Sequence, residues 1–189
     1  MPRLSVFNGV TLDGYFAGEN GDLSWAHRGS DDPEFQAFVA ENAKGDGRLL
    51  FGRITYQLMS SYWPTPEALR SNPVVADRMN GGPKLVFSRT LDRASWSNTT
   101  LVKGDLATEV RRLKQSPGQD MVILGSGSIV SQLTALGLID EYQVVIIPIV
   151  LGEGRTMFDG IAKTVSLKLT NTRRFDNGRV FLRYERIAE

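Results

Sequence analysis

The sequence predicts an α/β protein of three layers (α/β/α), a mostly parallel central sheet between helices with an antiparallel C-terminal hairpin. Three observations predict it. Short apolar runs alternate with amphipathic stretches of helical period along most of the chain, the pattern of repeated strand–helix units. Two runs, at 121–124 and 142–150, are almost wholly apolar, as strands buried on both faces are. The last two strand-like segments flank Asn177-Gly178, a strong hairpin turn signal.

The elements follow in order. Leu4, Val6, Val10 and Leu12 alternate with Ser5, Phe7, Gly9 and Thr11, a period of two and hence a strand, which Asp13-Gly14 ends. Residues 16–30 are rich in glycine and polar side chains, with Trp25 among them, and are predicted to form a mobile loop. Asp31-Asp32-Pro33-Glu34 marks a helix start, an aspartate cap followed by proline in the first turn. Phe35, Phe38 and Val39 then keep helical spacing. Residues 48–51 are a strand, and Gly52 opens a helix carrying Tyr56 and Met59. Residues 64–82 are predicted to hold one helix between loops. Short strands follow at 84–87 and 100–102, then an amphipathic helix through Leu106, Val110 and Leu113. The run 121–124 leads through glycines and serines into a helix with Ile129, Leu133 and Leu136, closed by Gly137. Strand 142–150 and alternating runs around Val165 and Val180 complete one domain over 1–189.

Composition excludes several chemistries. The chain has no cysteine, which rules out disulfides, zinc–thiolate sites and a cysteine nucleophile. One histidine, His27, leaves little room for a histidine metal site or a serine–histidine triad, and it reads as an ordinary loop residue. The 22 basic and 21 acidic residues leave a net charge of +1 with no basic run, so neither nucleic acid nor a membrane surface is called for. No signal segment is recognisable, and a cytoplasmic location is expected.

Two segments share one design. Leu50-Phe51-Gly52-Arg53-Ile54-Thr55 places a glycine at a strand end, then an arginine and a threonine in the first turn of a helix. Leu124-Gly125-Ser126-Gly127-Ser128-Ile129 does the same with glycines and serines. Free N–H groups and the positive end of the helix dipole make such turns good phosphate sites, and glycine admits the anion closely. Strand-to-helix turns use glycine and hydroxyl residues for purely structural reasons too; two such turns in one small chain favour phosphate binding. The Gly-x-Gly-x-x-Gly dinucleotide fingerprint is not met, since Val130 stands at the third glycine and the motif follows at least four strands. Asp13 and Asp31 are the candidate carboxylates. Asp13 also fits a plain Asp-Gly turn, and Asp31 with Asp32 a plain helix cap. Trp25 either closes the loop over a ring or anchors it to the core, and Phe35 and Phe38 read as core.

Residues 3–14, Gly52 to Tyr56, Val86-Phe87-Ser88-Arg89, residues 122–132 and Gly152-Glu153-Gly154-Arg155-Thr156-Met157-Phe158 resemble, in order, the signature stretches of the dihydrofolate reductase superfamily. Thr11-Leu12-Asp13-Gly14 and Leu151 to Arg155 are most similar to its riboflavin-biosynthesis reductase branch. The resemblance implies a dihydrofolate reductase-like fold, an NADPH cofactor, a small-molecule substrate and a homodimer. Position by position, it implies that Gly9 pairs with the nicotinamide carboxamide and that Gly52, Arg53 and Thr55 hold the pyrophosphate. It implies that Ser88 and Arg89 lie beside the adenosine 2′-phosphate, and that Gly125, Ser126, Gly127, Ser128 and Ile129 form the second phosphate turn. Folate reductases carry a cis peptide in that turn, which leaves the Gly125–Ser126 geometry open. They also carry a tyrosine and a threonine where this chain has Val130 and Ile146. The expected activity is hydride transfer from NADPH to a pterin- or pyrimidine-like heterocycle, an imine or a carbonyl. The alternatives are a non-catalytic dinucleotide-binding protein and a divergent folate reductase. Asp13 is expected to contact substrate, with Asp31 next. Gly125→Val is expected to block the phosphate at modest cost to the fold.

Overall fold

The computed structural model describes residues 1–29 and 31–187; Ser30, the last residue of the expected loop, lies outside them. Among the described residues ten strands form, in the order β1 (Leu4–Thr11), β2 (Tyr15–Ala17), β3 (Arg48–Gly52), β4 (Lys84–Phe87), β5 (Thr99–Val102), β6 (Met121–Leu124), β7 (Glu141–Ile147), β8 (Arg155–Thr156), β9 (Leu167–Arg174) and β10 (Val180–Arg186). Among the same described residues the α-helices are α1 (Pro33–Ala43), α2 (Arg53–Tyr62), α3 (Pro66–Ser71), α4 (Pro73–Gly81), α5 (Leu106–Gln115) and α6 (Gly127–Ala135).

The main sheet has the order β5-β4-β3-β6-β1-β7-β10-β9, and β2 pairs with β8 in a separate two-stranded ribbon. The β1, β3, β4, β5, β6 and β7 pairings are parallel; β10 runs antiparallel to both β7 and β9. The three-layer α/β expectation with its C-terminal hairpin therefore holds. Strand alternation divides the apolar residues between two layers. Leu50, Ile123, Leu4 and Val6 pack against Val110 of α5 and Ile129, Val130 and Leu133 of α6. On the opposite face, Phe51, Val86 and Leu49 pack against Tyr56 and Met79 of α2 and α4. Phe35 and Phe38 of α1 pack there against Trp25, Phe175 and Phe181, as core rather than pocket. No helix among the described residues is long and apolar enough to cross a membrane.

Three elements depart from expectation, each for a local reason. The 64–82 segment forms two helices, because Pro73 has no N–H to continue α3 and starts α4 instead. Strand β7 stops at Ile147, where Pro148 removes a ladder donor. The segment expected to be a mobile loop begins with strand β2 and continues as two short 3₁₀ turns, Glu19–Gly21 and Ser24–His27. Trp25 is buried in the core of β7, β10 and α1, so it anchors this segment.

The C-terminal end of α4 is closed from below by a buried cation. Lys84 is 1% exposed, lies 4.6 Å from the centre of the Trp96 ring, and donates to the carbonyls of Met79, Asn80 and Gly82. These are the orphan acceptors and the negative dipole end of the helix. Burial, and to a lesser degree the positive charge of Arg78, pushes its amine down to about 8. The usual value is 10.5, so between about pH 8 and 10.5 the unfolded chain holds a proton the folded chain has released, and this group's contribution to stability rises with pH across that window. The stability of the wild type relative to Lys84→Met is expected to increase by about 1–3 kcal/mol from pH 8 to 10.5. Urea unfolding at half-unit pH steps checks this, and a flat difference contradicts it.

Candidate functional site

The carboxyl edge of the sheet brings the two glycine turns together. Gly52 ends β3 and Leu124 ends β6, and these strands are parallel neighbours in register Leu50 to Ile123. Strand β4 lies on the other side of β3, with Gly52 opposite Phe87, so Ser88 and Arg89 emerge beside Arg53. Strand β5 continues the row, with Phe87 opposite Val102, which sets Lys103 beside Ser88. On the far side β1 outruns β6: residues up to Phe7 pair with it, while Asn8 to Thr11 pair only with β7. The β6-side edge of β1 at Gly9 is thereby left without a neighbouring strand. The ends of β4, β3, β6 and β1 form a continuous row spanning three strand spacings, about 14 Å.

A hydrogen-bonded seam joins three of these ends. Asn8, 5% exposed, accepts the Gly125 N–H at 2.6 Å, and its amide nitrogen lies 3.4 Å from the Gly125 carbonyl and 3.2 Å from the Met157 sulfur. Ser126 N–H donates to Thr55 Oγ1 at 3.0 Å. The Ser126 hydroxyl donates to the same oxygen and accepts the Gly52 N–H at 2.6 Å. The Gly125–Ser126 peptide is trans, and both residues lie in the left-handed region, with φ of +64° and +57°.

The seam determines what the helix starts can bind. Among the described helices, α1, α3 and α5 are capped by the side chains of Asp32, Thr65 and Asp105. No side chain caps α2, α4 or α6, and of these α2 and α6 start side by side at the carboxyl ends of β3 and β6. Ser126 stands at the cap position of α6 but gives its hydroxyl to Gly52 and Thr55, and Thr55 in the first turn of α2 receives it. The cap hydroxyl of α6 is spent on α2, whose own cap residue, Gly52, has no side chain, and the N–H groups that open both helices are left without side-chain partners. Gly52 is needed for this approach: a Cβ there would come within 3.1 Å of the Ser126 hydroxyl.

The other expected site residues fall along the same edge in differing states. Arg53 is exposed and donates to Gln57. Ser88 accepts the N–H groups of Thr90 and Leu91, a turn-forming role, and Arg89 is exposed beyond it. Gly127 lies under the Phe16 ring of β2, 3.3 Å from where its Cβ would stand, while Ser128 is exposed and Ile129 is core. At Gly9 a Cβ would come within 3.2 Å of the Ile147 side chain, so close packing alone calls for glycine there.

Both candidate carboxylates lie in turns. Asp13 accepts the Thr11 hydroxyl at 2.6 Å and the N–H groups of Gly152 and Leu151 at 2.8 and 3.1 Å. The Thr11 hydroxyl first, then the Gly152 and Leu151 amides, hold its carboxyl below the usual carboxylate range. A carboxylate held by three donors clamps the β7–β8 connection to the end of β1. Asp31 is exposed and makes no hydrogen bond among the described residues; its neighbour Asp32 is the cap of α1, accepting the Phe35 N–H at 2.7 Å. The structure does not bring Asp31 and Asp13 into contact.

Sequence reasoning passed over Asn8 and Lys103. Asn8 left a signal: it occupies the inward phase of an alternating strand, where a polar side chain needs buried partners. Lys103 left none, since its place beside Ser88 depends on strand order.

Two substitutions test this reading. A Cβ on Gly125 would come within 2.6 Å of the Thr55 side chain, and its φ of +64° disfavours any branched residue. Gly125→Val therefore breaks the seam itself, correcting the expectation of a modest effect, and should cost about 3 kcal/mol or more of stability; a mutant as stable as wild type in urea refutes the seam. Asp13→Asn should leave global stability nearly unchanged while the Leu151 and Gly152 amides exchange about tenfold faster, read by hydrogen exchange. Unchanged protection of those two amides removes the clamp.

The family model described as the RibD C-terminal domain matches residues 2–181. Of similar proteins, YyaP of Bacillus subtilis (strain 168) is 32% identical over 184 residues, 96% of this chain and 94% of its own. YwjB of the same organism is 26% identical over 182 residues, 93% and 94% of the two chains. A crystal structure from Shewanella sp. PV-4, attributed to riboflavin biosynthesis, superposes with a TM-score of 0.74 at 24% identity, covering 98% of this chain and 99% of that one. The Thermotoga maritima diaminohydroxyphosphoribosylaminopyrimidine deaminase/5-amino-6-(5-phosphoribosylamino)uracil reductase superposes with a TM-score of 0.67 at 16% identity; it covers 98% of this chain, which spans 57% of that longer protein. With the model matched across nearly its whole length and the fold shared, the chain belongs to the RibD C-terminal domain family.

Proposed function

We propose that the chain is an NADPH-dependent reductase whose dinucleotide lies along the carboxyl edge of β4, β3, β6 and β1. The observation that carries this reading is the pair of helix starts left uncapped side by side, an arrangement suited to the two phosphates of a pyrophosphate. Arg53, Arg89 and Lys103 supply cations at the β3–β5 end of the row, where a 2′-phosphate would be recognised. The open β1 edge at Gly9 lies at the opposite end, where the nicotinamide would be received. Bound there, NADPH would supply a hydride from its C4, and the chain's own contribution is to hold the phosphates and orient the ring. The substrate class proposed is a pterin- or pyrimidine-like heterocycle or a related imine or carbonyl compound, in keeping with the reductase names of structural relatives. A cytoplasmic location and a homodimer belong to the same proposal. Leu169 of β9 is 49% exposed on the outermost strand, a surface a second copy can cover.

One observation favours a second reading. The Asp13 carboxylate is taken up by three donors of its own chain, and Asp31 makes no hydrogen bond among the described residues. A dinucleotide-binding protein without turnover has the same phosphate site and needs no acid. Oxidation of NADPH followed at 340 nm with a panel of pterins, pyrimidines and quinones separates the two readings.

Cofactor choice tests both. Arg53→Ala and Arg89→Ala should each weaken NADPH binding by about 10- to 100-fold, the worth of one charged hydrogen bond, and leave NADH affinity within about twofold. Titration calorimetry with both cofactors measures it, and an unchanged NADPH/NADH ratio in both variants overturns the assignment.

A further inference from the structure

The largest fully buried side chain is a cation far along the sequence from the site. Arg179 immediately precedes β10 and is 1% exposed. Its guanidinium donates to the carbonyls of Ala26, Arg28 and Gly29, three acceptors on the segment that enters α1. It lies 4.5 Å from the centre of the Phe35 ring, and its Nε is buried without a partner. Asn177, in the same hairpin turn, also donates to the Gly29 carbonyl and accepts the Arg179 N–H. A buried guanidinium satisfied by backbone carbonyls of one short segment is stable only while that segment is in place. The segment and Arg179 therefore stand or fall together.

The latch lies at the same edge as the candidate site. Val10 of β1 is opposite Ile146 of β7, and Ile146 opposite Val180 of β10, so Arg179 stands two strand spacings, about 10 Å, from the open end of β1. The β1–α1 connection held by Arg179 also presses Phe16 over Gly127 at the start of α6. One connection thus covers the α6 turn at its front and is fastened at its rear by the C-terminal hairpin.

We propose that Arg179 is a positioning residue that holds the 22–29 segment closed over the nicotinamide end of the site. The inference rests on the cofactor placement given above for its second half and on geometry alone for its first. The adenosine end is anchored by other strands, so losing Arg179 loosens the ring's enclosure and leaves affinity for the cofactor nearly intact.

The test uses the Arg28–Gly29 bond, whose carbonyl is itself held by Arg179. Trypsin cleavage there is followed by mass spectrometry in wild type, R179M and R179K, alongside NADPH affinity by calorimetry and the emission of bound nicotinamide. R179M should be cut after Arg28 about tenfold or more faster, with cleavage elsewhere unchanged. It should bind NADPH within about threefold of wild type, with nicotinamide emission reduced towards that of free cofactor. R179K, with its charge on one nitrogen instead of a fork, should fall between the two. If R179M does not fold, R179K decides, with about threefold faster cleavage expected. Wild-type cleavage rates in the folded variants overturn the latch. Faster cleavage with unchanged nicotinamide emission overturns its positioning role. Failure of the wild type to bind NADPH refutes the cofactor placement, and with it the positioning role, while the cleavage rates still decide the latch.

Discussion

The seam through Asn8, Gly125, Ser126, Thr55 and Gly52 is the constraint on which the rest of the site depends. Four short hydrogen bonds connect β1, β6 and β3 at the point where two of them turn into helices. Individually such bonds add about 1 kcal/mol each; their larger effect is that any one broken leaves buried donors or acceptors without partners. The geometry requires a glycine and a serine in succession in the left-handed region. For Ser126 that conformation costs about 1–2 kcal/mol, offset by three hydrogen bonds that no other backbone path provides.

From the seam follows the chemistry of the edge. In an ordinary helix start, a serine at the cap position satisfies its own helix. Here the hydroxyls of Ser126 and Thr55 face one another across the β3–β6 boundary, and no side chain caps the first turns of α2 and α6. Asp32, Thr65 and Asp105 give α1, α3 and α5 ordinary side-chain caps elsewhere in the fold. Stability is thus gained between strands and given up at helix ends, a trade characteristic of functional sites.

The other half of the edge is organised by charge held in place. Asp13 draws the backbone of Leu151 and Gly152 to the end of β1, and Arg179 draws the backbone of Ala26, Arg28 and Gly29 to the start of β10. Both ions bind main-chain groups of a connecting segment, so both act on loop position. Asp13 and the buried arginine fix the connections at the ends of β1 and β10, and the segment between β1 and α1 carries Trp25 into the core as a third anchor.

The sequence by itself determined the elements whose causes are local. Strand β1, the Asp32-Pro33 start of α1, the run at Met121–Leu124 and the turn at Asn177-Gly178 all follow from period, proline and glycine chemistry within a few residues. The two glycine turns were legible for the same reason. Only tertiary structure decided what their side chains do. Whether a serine caps its own helix or a neighbouring one, whether an aspartate donates a proton or clamps a loop, and whether Lys103 joins the cationic row depend on strand order and register. These arise from pairing between segments 70 to 140 residues apart, where the partners of a polar group cannot be read from its neighbours in the chain.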